Sequence, residues 1–331
     1  MTGGNGRTVL VTGTAGFIGA AVAEALLARG DTVIGVDNLN DYYDVALKKA
    51  RLARLTLDTK FDFHQTDIAD RDRMLKLAAD FPHVTHIVHL AAQAGVRYSL
   101  VNPYAYVTSN VMGQLVMLET ARALPGPKHF VYASSSSVYG ANTKTPFAVG
   151  DAVEKPSSLY AATKRADELF GHTYAHLYAI PSTGLRFFTV YGPWGRPDMA
   201  PILFAKAISA GEPIRVFNHG EMWRDFTYID DIVDGVIRAV DRPPSQIPPH
   251  AIYNLGNNKT EKLTDFIAEI EKAFAKKAHM KMEPMQPGDV PATSADIESS
   301  RRDLGFDPKT PIGQGIPKFA TWFRQYYGGA A

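Results

Sequence analysis

Short apolar runs alternate with longer stretches of helical spacing over the first 180 residues. Residues 7–11 form an apolar run ending at Thr12-Gly13, and residues 32–36, 61–65, 86–90 and 129–133 repeat the pattern. Runs of this length read as buried strands. Between them, residues 17–29, 45–57, 71–79 and roughly 103–123 carry apolar side chains at helical intervals, the first closed by Gly30. Another long helix is predicted at about 158–177. Strands alternating with helices predict parallel pairing through right-handed crossovers, hence an α/β, doubly wound parallel sheet. On the second helix Lys48, Lys49, Arg51 and Arg54 are expected on a solvated face.

After Pro181 the pattern loosens. A strand over 183–188 leads into the turn-rich Tyr191-Gly192-Pro193-Trp194-Gly195. Helices follow at about 201–210, 229–240, 263–276 and 316–326, with a Pro-rich surface loop at 242–250. The expected organisation is a first domain of 1–181, with 226–254 packing back onto it, and a smaller α/β lobe of 182–225 and 255–331.

Composition narrows the field. The 331 residues carry a net charge of +1, 45% are apolar and none is cysteine. Balanced charge points away from nucleic acid. The absence of cysteine removes disulfides, thiolate catalysis and Cys-type zinc sites. The polar start Met1-Thr2-Gly3-Gly4-Asn5-Gly6 does not resemble a signal peptide, and no run of about 18 apolar residues predicts a membrane span. A cytoplasmic location is expected.

The first motif is Gly13-Thr14-Ala15-Gly16-Phe17-Ile18-Gly19, between strand and helix. Glycines there permit a tight turn and close approach to a pyrophosphate, while the helix N-terminus supplies free N–H groups. Gly13, Gly16, Phe17, Ile18 and Gly19 are therefore cofactor candidates. Asp37 ends the second strand, where a carboxylate accepts from both adenosine ribose hydroxyls and repels a 2′-phosphate, favouring NAD over NADP. Asp67 and Ile68 follow the third strand, in reach of the adenine. Leu90, Ala91 and Ala92 follow the fourth, small enough at the alanines for close backbone passage.

Tyr160-Ala161-Ala162-Thr163-Lys164 places a phenol and an ammonium at i and i+4 on one helix face. A tyrosine is ordinarily a poor base at neutral pH, and a nearby cation favours its phenolate. Lys164 can serve so while also holding the nicotinamide ribose. Ser134-Ser135-Ser136-Ser137 follows the fifth strand, at the carboxyl edge of the sheet where such folds bind ligands. A hydroxyl there can share the proton moving to Tyr160.

These residues, with His89-Leu90-Ala91-Ala92, Val138-Tyr139-Gly140, Arg186-Phe187-Phe188, Arg224-Asp225-Phe226 and Pro287-Gly288-Asp289, resemble the extended short-chain dehydrogenase/reductases, in the nucleotide-sugar epimerase branch. The resemblance runs from Val9 to about Asp303. It implies a Rossmann-like NAD domain and a catalytic group of Ser135, Tyr160 and Lys164. It also implies that Arg224 and Asp289 hold the nucleotide diphosphate and its ribose, and that the strand over 214–217, with Val216 and Phe217, faces the uracil. It further implies a homodimer built on the helices at 103–123 and 158–177.

Related dehydratases and decarboxylases carry an acidic residue in the loop occupied here by four serines. Without an acid or base to remove the C5 proton, simple return of hydride to the other face of C4 is expected. Phe188-Thr189, the loop Gly192 to Met199 and Met285-Gln286 resemble the UDP-glucuronate 4-epimerases more than the UDP-galactose 4-epimerases. A uronate brings a carboxylate at C6, which Arg196 can face with Ser136 and Thr189 as hydrogen-bond donors; Gln286 is assigned to the same substrate. Oxidation at C4 makes a β-keto acid, so these three residues are expected to hold the carboxylate out of the alignment that loses carbon dioxide. Rival readings are a UDP-glucose or UDP-N-acetylglucosamine 4-epimerase, an NAD-dependent nucleotide-sugar decarboxylase or reductase, and a non-catalytic dinucleotide sensor.

Other residues carry less. His83, His86 and His89 recur every third position, but strand alternation turns His86 and His89 to opposite faces, and no metal site is assigned. Arg97 either approaches the substrate or pairs at the surface. Trp194 and Trp223 are expected to pack around the substrate loop.

Overall fold

A computed structural model of the chain describes residues 6–286 and 289–328. Pro287 and Gly288 of the Pro-Gly-Asp motif, and residues 1–5 of the polar N-terminus, lie outside the described residues. The chain runs β1 (Thr8–Thr12), α1 (Phe17–Ala28), β2 (Thr32–Asp37), α2 (Val45–Leu55), β3 (Phe61–Gln65), α3 (Arg71–Asp80), β4 (His86–His89), α4 (Pro103–Tyr106), α5 (Gly113–Ala123), β5 (His129–Ser135), α6 (Leu159–Tyr178) and β6 (Ser182–Phe187). It continues through β7 (Thr189–Tyr191), α7 (Ala200–Ala210), β8 (Pro213–Val216), β9 (Trp223–Tyr228), α8 (Ile229–Val240), β10 (His250–Leu255), β11 (Thr260–Lys262), α9 (Leu263–Phe274), β12 (His279–Met282) and α10 (Ile312–Tyr327).

Seven strands form one sheet in the order β10-β6-β5-β4-β1-β2-β3, parallel throughout. The order reverses direction beside β1, so the carboxyl ends of β1 and β4 open a crevice where ligands bind in such sheets. Because helices cover both faces, the central strands are apolar on both sides: Val9, Leu10, Val11, Ile87, Val88, Phe130 and Val131 are all buried. Local signals set several helix starts. Asp44 accepts from the Ala46 N–H, Asp70 from Arg73 and Ser158 from Ala161.

Residues 182–187 depart from the expected division. This strand, β6, lies between β5 and β10 in the large sheet, so the chain crosses to the smaller lobe only after Phe188. β10, which the Pro-rich pattern before it obscured, pairs with β6, and α8 packs beside α1. The smaller lobe holds the three-stranded β11-β9-β7 and the pair β12-β8.

The stretch expected as one helix over 103–123 is interrupted. Between α4 and α5 the turns widen over Val107–Met112, and Asn110 sits in the widened segment. Asn110 accepts from the Gln93 N–H at 2.8 Å, and its amide donates to Gln93 O and Thr163 Oγ1. The distortion buys a buried polar tie between the loop after β4 and α6, a common use of such wide turns near functional sites.

Candidate active site

The glycine loop turns directly from β1 into α1. Gly13 has φ of +76°, and a Cβ there would sit 2.9 Å from the Ala91 nitrogen, while one on Gly19 would run into the Gly13 carbonyl. The helix N-cap is Gly16, and no side chain caps it. Its first N–H groups therefore remain for an anion. These features fit a dinucleotide pyrophosphate.

The loop opens on a cavity of about 1160 Å³, above the usual range of about 300–1,000 Å³ for one drug-sized ligand. At one end its wall includes Gly13, Phe17, Ile18, Asp37, Asp67 and Ile68. Asp37 accepts from Ala15 N–H at 3.1 Å and Leu39 N–H at 2.8 Å, so it shapes the loop as well as facing the cavity. Asp67 accepts from the Asn38 amide at 2.8 Å. Lys48, expected in solvent, lines this end instead and donates to Asn40 Oδ1 at 2.7 Å. Burial lowers its pKa, partly opposed by Asp37.

Arg51 is also buried, contrary to the expected solvated face: it is 0% exposed. Its guanidinium donates to the carbonyls of Ala15, Trp194 and Gly195 and to the Tyr43 hydroxyl. The loop at 192–196, remote in sequence, covers that helix face. Lys49 remains exposed, and Arg54 pairs with Glu24 and lies over the Trp194 ring.

Ser135, Ser136, Tyr160 and Lys164 line the same cavity, as do Leu90, Ala91 and Ala92. Lys164 is buried, and its ammonium donates to Ala133 O at 2.9 Å and Asp167 Oδ2 at 3.0 Å. Burial pushes the Asp167 carboxyl up to about 6, against the pull of Lys164. Tyr106 packs edge-on to Tyr160 and is tied to the Gly95 carbonyl, which helps fix the phenol's direction. Ser135 Oγ accepts from the Ser137 N–H at 3.1 Å. Ser134 also lines the cavity, but its hydroxyl donates to Glu168, which Arg186 holds through two bonds of 2.7 and 2.9 Å.

Thr189 and Arg196 lie on the wall of the same cavity. Arg196 is paired with Asp198. Burial works against its charge, but Asp198 and the neighbouring phenols of Tyr42 and Tyr160 outweigh it and hold the guanidinium above its ordinary value.

Farther along the wall Arg97 and Arg215 lie over Phe217, and Arg224 lines the same cavity. Arg97 lies 4.6 Å over the Phe217 ring and pairs with Asp289 at 3.1 Å; Arg215 lies 5.0 Å over the same ring and pairs with Glu283. Arg97 thus pairs at the surface and also lines the cavity. Arg224 donates to the Trp223 and Pro291 carbonyls, and burial lowers its pKa despite Asp289. Two expected substrate residues are not on the wall. Val216 is fully buried in the core, on the inward-facing side of β8. Gln286 is half-buried beside the cavity, its carbonyl accepting from the Asp289 N–H. Sequence reasoning missed Tyr42, Asp198 and Arg215; nothing local distinguishes them.

His86 and His89 engage Thr85 and Thr12 respectively, and no group of three metal-ligating side chains occurs among the described residues. Trp194 packs on Trp322 and Tyr326 of α10.

Residues 9–256 match the NAD dependent epimerase/dehydratase family. The chain belongs to that family. Among relatives, it is 48% identical to UDP-glucuronate 4-epimerase 4 of Arabidopsis thaliana over 98% of this chain and 77% of the plant protein. It is 46% identical to a probable UDP-glucuronate 4-epimerase of Rhizobium meliloti over 96% and 97% of the two chains. Among solved structures, the UDP-glucuronic acid 4-epimerase of Bacillus cereus in complex with UDP-glucuronic acid and NAD superposes with a TM-score of 0.90. That structure is 32% identical and covers 97% of this chain and 100% of its own. The family's cofactor is NAD, which the glycine loop and Asp37 suit.

Proposed function

We propose that this enzyme reversibly epimerises C4 of UDP-glucuronic acid to give UDP-galacturonic acid, with NAD retained through the cycle. The observation that carries this reading is one cavity wall shared by Tyr160, Lys164 and Ser135 with Ser136, Thr189 and Arg196. The named relatives act on the same uronate, which supports it. Held by the glycine loop and Asp37, NAD would supply a reversible two-electron acceptor for the C4 hydrogen, so no oxidant or reductant would be consumed.

The rest falls to the chain's own residues. Tyr160 takes the proton of the C4 hydroxyl and later returns it, with Ser135 bridging the transfer. Lys164 holds a positive charge below the phenol, fixed by Ala133 and Asp167. Arg97, Arg215 and Arg224, with Phe217, receive the diphosphate and the base. Ser136, Thr189 and Arg196 hold the C6 carboxylate away from the alignment that decarboxylates the 4-keto sugar. No carboxylate lies among Ser134 to Ser137 to take the C5 proton, so the keto sugar is only reduced again.

Proton NMR of UDP-glucuronic acid with the purified protein and no added cofactor tests this reading. UDP-galacturonic acid should appear. Turnover of UDP-glucose alone would move the assignment to the neutral sugars. Alanine in place of Ser136, Thr189 or Arg196 should release some UDP-pentose; if no variant does, the carboxylate assignment is wrong. A homodimer is part of the proposal: Tyr104, Val107, Met112, Leu169 and Leu177 expose an apolar face along α4 to α6, and light scattering should give twice the chain mass.

A further inference from the structure

The Nε/Nη2 edge of the Arg196 guanidinium is already occupied. Its Nε donates to Asp198 Oδ1 at 3.1 Å and its Nη2 to Asp198 Oδ2 at 2.5 Å, a side-on fork. The Tyr42 hydroxyl donates to the same Oδ2 at 3.0 Å. Tyr42 comes from the segment after β2, on the cofactor side, and its ring rests 4.7 Å from that of Tyr98. All four side chains line the cavity that contains Tyr160.

The pair is placed to be exchanged. The side chains of Arg196 and Asp198 keep 20% and 30% of their exposure. Water still reaches both side chains and screens the pair, so it is weaker than a fully buried one. A carboxylate delivered by an already anchored nucleotide sugar arrives at high effective concentration and matches the same fork. A C6 hydroxymethyl group brings neither the charge nor the second acceptor.

We propose that Asp198, steadied by Tyr42, is a built-in stand-in for the substrate's carboxylate: it fills the fork of Arg196 and yields to a uronate but not to a neutral hexose. Asp198 thus acts on specificity through Arg196, as a positioning residue. The proposal rests on the uronate reading above. It adds that uronate binding includes the work of displacing an internal anion, and that a neutral sugar meets a fork already taken.

The test compares the wild-type holoenzyme with D198N and Y42F. KM and kcat for UDP-glucuronic acid and Ki for UDP-glucose are measured, with NAD content and Tm recorded for each. Removing the competing charge in D198N should lower KM for the uronate about twofold to fivefold, and the ratio of Ki for UDP-glucose to that KM should rise. Y42F, which only loosens Asp198, should move both in the same direction by less, and decides the matter alone should D198N fail to fold. A KM that is unchanged or raised in a variant with normal NAD content overturns the stand-in while leaving the uronate reading intact. A wild-type enzyme that neither binds nor converts UDP-glucuronic acid overturns both.

Discussion

Arg51 Nη1 on α2 donates to the carbonyl of Ala15 in the glycine loop at 2.9 Å. The same guanidinium reaches the carbonyls of Trp194 and Gly195 in the loop that carries Arg196. One buried side chain therefore joins the cofactor loop to the substrate loop. All five of its N–H groups are used, and the partners include no carboxylate.

Arg51→Met should be strongly destabilising, since it strands three buried carbonyls; the loss should be on the order of 3–5 kcal/mol. Arg51→Lys should recover only part, lacking the planar fork. Thermal unfolding and the NAD content of the purified protein check this. Wild-type Tm with full NAD in the Met variant would refute the linking role.

Tyr160→Phe removes the proton acceptor while leaving the ring packed against Tyr106. Its kcat on UDP-glucuronic acid should fall by about 10²–10⁴-fold, with NAD still bound. Ser135→Ala should lose less. Near-normal turnover in the Phe variant would remove Tyr160 from the proton path.

Gly19→Ala places a methyl group against the Gly13 carbonyl, and backbone cannot yield as a flexible side chain does. The variant should purify without NAD and be inactive until high concentrations are added, if it folds. Absorbance at 260 nm against 280 nm reads this directly, and full cofactor content would contradict the close approach.

Burial holds the pKa values of His86, His129 and His250 down to about 4 and of His89 to about 3. Their stability contribution is present above pH 6.5 and is lost as pH falls through the folded values. Burial pushes Asp167 and Asp225 up to about 6, with the opposite sign: their contribution is full below the unfolded value and lost as pH rises through 6. Four histidines outweigh two aspartates, and each net proton is worth about 1.4 kcal/mol per pH unit. Tm should therefore fall steadily from pH 6.5 to 4.5. A flat or rising Tm would show that these histidines are not buried neutral.

Local pattern alone determined much of this protein. The strand–helix alternation up to Pro181, the glycine loop after β1 and the i, i+4 placement of Tyr160 and Lys164 are properties of short segments. Backbone periodicity and turn stereochemistry read them without reference to distant residues. The serine run at the end of β5 was legible for the same reason, although Ser134 turned out to serve the Glu168–Arg186 pair. What the tertiary structure decided is which polar groups lose water and whom they meet. Arg51 and Lys48 occupy positions that look solvated along α2, and only the loops laid over that face bury them. Arg97 and Arg215 meet on Phe217 from elements more than a hundred residues apart, and Tyr42 meets Asp198, 156 residues along the chain. β10 reads as a continuation of a Pro-rich loop until β6 supplies the edge it pairs with. A side chain's burial is a property of what packs against it, and sequence spacing carries no record of that partner.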